Sequence, residues 1–191
     1  MVVKVLAING SSRRDSLNQK LLDIAAQGAR DAGAEVTQAR LADFDLPIYD
    51  GDFEVERGLP NGARKLQALV EAHQALLIAT PEYNGGYTAL LKNAVDWISR
   101  PRGDGSSGVS LLAGKAAALV SASPGQLGGL RSQSGMRAVL DKLGMLVIPQ
   151  SFALGMAHEA FATDGQLKDS NVTRLVSGVG EGLYRLALRL A

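Results

Sequence analysis

The stretch "VVKVLAINGSSRRDSLNQKLL", residues 2–22, decides the fold class. Residues 2–8 form an apolar run rich in β-branched side chains, the composition of a strand covered on both faces. From Leu17 the period changes: Leu17, Leu21, Leu22, Ile24, Ala25, Ala29 and Ala32 recur at helical spacing up to Gly33. A buried strand feeding directly into a helix opens a βαβ unit, and hence a parallel sheet. Between them lie Gly10, Ser11, Ser12, Arg13, Arg14, Ser16 and Asn18, more hydroxyl, amide and guanidinium groups than a turn requires. A helix starting near Ser16 or Leu17 aims unpaired N–H groups and the positive end of its dipole into this cluster. Ser11, Arg13, Ser16 and Asn18 add side-chain donors, and the set suits a phosphate monoester dianion. Helix capping by Asp15 or Ser16 explains one of these residues. It does not explain five polar donors in eight.

The rest of the chain repeats the alternation. "EVTQARL" (35–41) reads as the second strand, and 42–61, with Pro47, Gly51, Gly58 and Pro60, as irregular. A helix is expected over 62–73, a buried strand at "ALLIAT" (75–80) and a helix over 89–99. A strand at "KAAALVSA" (115–122), a helix over 130–143, a last strand at "MLVIP" (145–149) and a closing helix over 167–190 complete the pattern. Five strands alternating with five helices describe one domain over 1–191, an open doubly wound parallel sheet with helices on both faces. On pattern alone the strand orders of flavodoxins (2-1-3-4-5) and of dinucleotide-binding folds both remain open. In either, ligands bind beyond the carboxyl ends of the strands. That directs attention to residues 9–18, 80–88 and 121–130.

Composition excludes several classes. The 191 residues are 46% hydrophobic, as a folded globule requires. A net charge of +1 argues against nucleic-acid binding. The apolar runs fall short of the ~18 residues of a membrane span, and the N-terminus reads as a core strand rather than a signal peptide. With no cysteine, disulfides, thiol redox chemistry and thiolate metal sites are absent, and a cytoplasmic location is expected. His73 and His158 lack metal-ligand spacing, so no metal site is expected and both read as surface or helix-packing residues.

The first loop lacks both G-x-x-x-x-G-K-[ST] and G-x-G-x-x-G. Triphosphate hydrolysis is therefore disfavoured, and side-chain donors in place of glycines suit a terminal monophosphate better than a dinucleotide. In the second loop, "TPEYNGGYTALLKNAVDW" (80–97), Pro81 stiffens the strand exit and Asn84-Gly85-Gly86 makes a tight turn with exposed amides. In-plane amides of this kind suit a flat heteroaromatic ring, which Tyr83 can wall or stack against. Val95 and Trp97 read as core or interface packing. In the third, "SASPGQLGGL" (121–130), Ser121 and Ser123 end a strand and a glycine-rich segment permits close backbone approach.

"GSSRRDSLNQKLL", "PEYNGGYTALLKNAVDWISR" and "SASPGQLGGLRSQSGMRAVLDKLGMLVIP", in this order, resemble the NADPH-dependent FMN reductase family over roughly residues 3–150. That family of flavodoxin-like proteins includes bacterial quinone, azo-dye and chromate reductases. The resemblance implies the order 2-1-3-4-5. It implies that Ser11, Arg13, Ser16, Leu17 and Asn18 bind the phosphate and ribityl end of FMN. Pro81, Glu82, Tyr83 and Asn84, with Gly85 of the same turn, would line the isoalloxazine, and Ser121 or Ser123 would close the third side. The implied activity is FMN-dependent transfer of two electrons from NADPH or NADH to quinones, azo compounds, chromate or free flavin, in a homodimer or homotetramer. No catalytic residue is then needed, because the flavin carries the hydride. The alternatives are a flavodoxin-type electron carrier, disfavoured by the balance of 20 basic and 19 acidic residues, and a flavin-free module on the same fold. Arg100 and Arg102 are open to a partner subunit or the nicotinamide nucleotide. The apolar residues of helix 89–99 fall on more than one face, which suggests a subunit contact through Trp97.

Overall fold

A computed structural model describes residues 2–191. Its centre is a five-stranded, all-parallel sheet of order β2-β1-β3-β4-β5. The strands are β1 (Lys4–Asn9), β2 (Glu35–Arg40), β3 (Ala75–Ala79), β4 (Ala116–Ala122) and β5 (Leu146–Leu154). The helices are α1 (Leu17–Asp31), α2 (Gly51–Arg57), α3 (Asn61–Glu71), α4 (Ala89–Ile98), α5 (Leu130–Lys142), α6 (Ala157–Ala160) and α7 (Ser170–Leu190). The flavodoxin-like order is thus the one adopted.

The central strands β3 and β4 are buried at every position, which is why they read as unbroken apolar runs. Their alternate side chains feed two cores. Val5, Ala7, Leu77, Ala118 and Val120 meet α1 and α7 on one face. Leu6, Ile8, Leu76, Ile78 and Leu119 meet α3, α4 and α5 on the other. Helices α1 and α7 touch backbone to backbone. A Cβ on Gly28 would lie 2.1 Å from the Ser177 carbonyl oxygen, and one on Gly180 1.8 Å from that of Ala25. Glycine is required at both crossings.

Three expectations need correction. The last strand is not 145–149 but Leu146–Leu154, with a register shift opposite Ala117 and Leu119. The strand continues through Pro149 because β5 is an edge strand, where a missing N–H is tolerated. The "irregular" segment 42–61 contains α2, capped by Asp50, whose carboxylate accepts from the N–H groups of Asp52 (2.8 Å) and Phe53 (3.1 Å). No residue of α2 is buried, so it carries no apolar period. Finally, Trp97 is wholly buried inside one chain. Its Nε1 donates to the Pro47 carbonyl (2.7 Å), and Tyr49 and Phe53 pack edge-on at 5.1 and 6.2 Å. The second apolar face of α4 is covered by the chain's own 46–53 strap, and Trp97 is not a subunit contact.

Candidate active site

The three loops meet at the carboxyl edge of the sheet around a cleft of about 430 Å³. Gly10 ties the first loop to the second just before the chain enters the cleft. The N–H of Gly10 donates to Ala79 (2.9 Å), its carbonyl accepts from Thr88 Oγ1 (2.7 Å), and a Cβ there would crowd Ala79 and Pro81 at 3.1 Å. The chain then turns twice on its own side chains: Asn9 Oδ1 accepts from Ser11 N–H (3.0 Å) and Ser11 Oγ from Arg13 N–H (3.2 Å). Ser16 caps α1, its Oγ accepting from Gln19 N–H (3.2 Å). The first helical N–H groups, Leu17 and Asn18, have no intrahelical acceptor and lie at the positive end of the dipole. Ser11 and Ser16 use their oxygens as acceptors, so each hydroxyl proton can still be donated. Arg13 is exposed beside them.

Asn18 is different. Its Nδ2 donates to the Ala122 carbonyl (2.8 Å) and its Oδ1 accepts from Ala122 N–H (2.9 Å). The residue lies in the cleft wall, but its amide is spent tying α1 to β4 rather than offered to a ligand.

The second wall follows β3. Thr80 Oγ1 and Ser132 Oγ lie 2.6 Å apart, and Ser132 Oγ donates to the Pro81 carbonyl (2.9 Å). Tyr83 and Gly86 exchange backbone hydrogen bonds of 2.9 and 3.1 Å across Asn84 (φ 52°) and Gly85 (φ 82°). Both central residues adopt the left-handed conformation this tight turn demands. Pro81, Glu82 and the half-exposed Tyr83 reach the cleft, whereas Asn84 and Gly85 stand beyond it. The Glu82 carboxylate is turned to α5, where Oε1 accepts from Arg131 Nε (2.8 Å) and Nη2 and Oε2 from Arg131 N–H (3.2 Å). These bonds hold the Glu82 carboxyl below the usual carboxylate range against the opposing effect of burial.

On the third side Ser123 and Pro124 line the cleft. Ser121 does not. It is fully buried, with Oγ donating to the Gly128 carbonyl (2.7 Å) and accepting from Gln133 Nε2 (2.7 Å). It anchors the glycine-rich loop from behind. Five lining residues lay outside the set predicted from sequence: Asp15, Lys20, Ala122, Pro124 and His158. Lys20 is one helical turn from Ser16 and was legible from that spacing. His158 follows β5 and had no local signal. His73 is buried in its own helix end, with Nδ1 2.6 Å from the Leu69 carbonyl. Among the described residues no group of three metal-ligating side chains converges.

The donor set matches one kind of ligand. Hydroxyls, a guanidinium and a helix N-terminus gather at one end of the cleft for a dianion, and proline, tyrosine and backbone wall the other for a flat ring. With the strand order, these features define a flavodoxin-like, mononucleotide-binding protein. Residues 3–159 match the model of the NADPH-dependent FMN reductase family, and the chain belongs to that family. It is 35% identical to a probable NADPH:quinone oxidoreductase 2 of Oryza sativa subsp. japonica, over 98% of this chain and 90% of the relative. It is 34% identical to an NAD(P)H-dependent FMN reductase of Pseudomonas aeruginosa, over 98% and 97%. Its fold superposes on FerB, a flavoenzyme NAD(P)H:(acceptor) oxidoreductase of Paracoccus denitrificans, with a TM-score of 0.81, 29% identity and 98% of both chains covered. The protein is an oxidoreductase with FMN as cofactor and a reduced nicotinamide nucleotide as co-substrate. When bound, FMN supplies the hydride acceptor and donor; the chain supplies binding and orientation.

Proposed function

We propose that the protein passes two electrons from NADPH or NADH, through FMN, to quinones, with azo compounds, chromate and free flavin as further acceptors. The carrying observation is the single cleft in which an anion-holding loop and an aromatic-walled slot lie side by side. Ser11, Arg13, Ser16 and the N–H groups of Leu17 and Asn18 hold the phosphate. Pro81, Glu82, Tyr83 and Ser123 border the ring, and Asn84 and Gly85 shape the turn behind Tyr83. The quinone assignment draws on the rice relative. The overall balance is NADPH + H⁺ + quinone → NADP⁺ + hydroquinone.

One cleft serving donor and acceptor in turn requires ping-pong kinetics. Double-reciprocal plots of NADPH oxidation at several benzoquinone concentrations are expected to be parallel. Intersecting lines would reject the shared cleft.

The working unit in this proposal is one FMN-binding domain over 1–191, in a cytoplasm that supplies the reduced nucleotide. Two copies associate through the groove between α4 and α5. That groove holds Val95, Val139 and Leu143 between Lys92, Asp96 and Lys142. Lys92 and Asp96 pair with each other on its rim (2.6 Å), leaving the apolar residues for a second copy to cover.

A further inference from the structure

Glu82 and Arg131 stand 49 residues apart, and no sequence pattern pairs them. Arg131 lies in the first turn of α5, whose N-cap is Gly129 in the left-handed conformation with no side-chain cap. The Glu82 carboxylate fills that role from outside, accepting Arg131 N–H at 3.2 Å at the positive end of the helix. The guanidinium completes a fork on the same carboxylate, close enough to the turn that a side chain at position 85 would meet it. A Cβ on Gly85 would lie 3.8 Å from Arg131 Cζ and Nε. The next residue, buried Ser132, grips Thr80 and the Pro81 carbonyl. Two successive residues of α5 therefore hold residues 80, 81 and 82, at the entry to the turn. The turn has little else to fix it: its own bonds join Tyr83 only to Gly86, and Tyr83 is half exposed.

We propose that Arg131 is a positioning residue for the flavin reaction, setting the Tyr83–Gly86 turn as the cleft wall through the Glu82 carboxylate. This rests on the reading that the 81–83 wall faces the flavin ring. Ser132 anchors the base of the wall, and Arg131 fixes its orientation. The side chain of Glu82 is 9% exposed and that of Arg131 61%. A pair with one partner so open adds little to global stability, so its loss loosens the wall without unfolding the protein.

The test is amide hydrogen exchange over residues 82–88, with and without FMN, in wild type, Arg131→Ala, Arg131→Lys and Glu82→Gln. It is joined by the midpoint potential of the FMN-loaded proteins. In wild type FMN is expected to slow exchange in this segment. Without FMN, Arg131→Ala and Glu82→Gln are expected to raise exchange there by about five-fold, with the melting temperature unchanged. Both should displace the midpoint potential, and Arg131→Lys, which keeps the charge but not the fork, should recover only part. Wild-type exchange and potential in both Arg131→Ala and Glu82→Gln would overturn the proposal. Failure of FMN to slow exchange over 82–88 in wild type would remove the reading of the wall itself, and the proposal with it.

Discussion

Arg13 and Glu82 were both assigned to the cofactor from sequence, and they occupy opposite situations. Arg13 is exposed, and its backbone is held by Ser11 while its side chain is left for a ligand. Arg13→Ala is expected to weaken FMN binding at least about ten-fold, the loss of one charge-assisted bond to a dianion. Fluorescence titration of apoprotein measures this, and riboflavin, which lacks the phosphate, should bind wild type and variant alike. Glu82 instead has its charge consumed within the protein. Its carboxyl is lowered in the folded state, chiefly by hydrogen bonding to Arg131, so the tie contributes fully above the ordinary glutamate range. It is lost only as pH falls through the depressed value. The Glu82 carboxyl carbon followed by NMR should titrate below the ordinary range, and Arg131→Ala should return it there. Polar residues at a site are legible in sequence, but whether a polar atom is free or spent is not. Asn18 shows this most plainly, because its partner Ala122 lies 104 residues away.

At the scale of elements, α4 is decided by its two coverings. One face enters the core through Leu91, Ala94 and Ile98. The other carries Asn93 and Trp97, which hold the 46–53 strap. Asn93 accepts from Tyr49 N–H (2.8 Å) and donates to the Pro47 carbonyl (2.9 Å), which also accepts from Trp97 Nε1. Trp97→Phe should keep the fold and lower unfolding free energy by about 1–2 kcal/mol, since Pro47 retains the Asn93 bond. Trp97→Glu should fail to fold, because it puts a carboxylate in a fully buried aromatic pocket. Denaturant unfolding with FMN bound and free measures both. The apolar excess of α4 was legible, but its destination was not. The strap that covers it carries Leu46, Ile48, Tyr49 and Phe53 at no regular spacing, so it does not read as an element.

For the whole molecule, the open question posed by its surface is the α4–α5 groove of about 460 Å³. A second copy seated there gives twice the 20.0 kDa of one chain by light scattering at micromolar concentration. Ala138, exposed on the groove, is the place to test it: Ala138→Glu should yield a folded, FMN-binding monomer. A wild-type mass of 20.0 kDa would reject the dimer.

The chain order of the five strands and of the five longest helices, the parallel sheet and the three loops at its carboxyl edge were readable from the sequence, whereas α2 and α6 were not. Each is a local matter: buried strands are continuous apolar runs, helices carry a 3.6-residue period, and loops at strand ends declare themselves by glycine, proline and hydroxyls. The family resemblance supplied the strand order that periodicity leaves open. Tertiary structure alone decided which loop residues face the cleft. It sent Ser121 inward, spent Asn18 on β4, turned Glu82 to Arg131, and brought His158 to the mouth. The reason is that hydrogen-bond partners are chosen by proximity in space. A buried polar group must find one wherever the fold places it, and the distance along the chain carries no record of that choice.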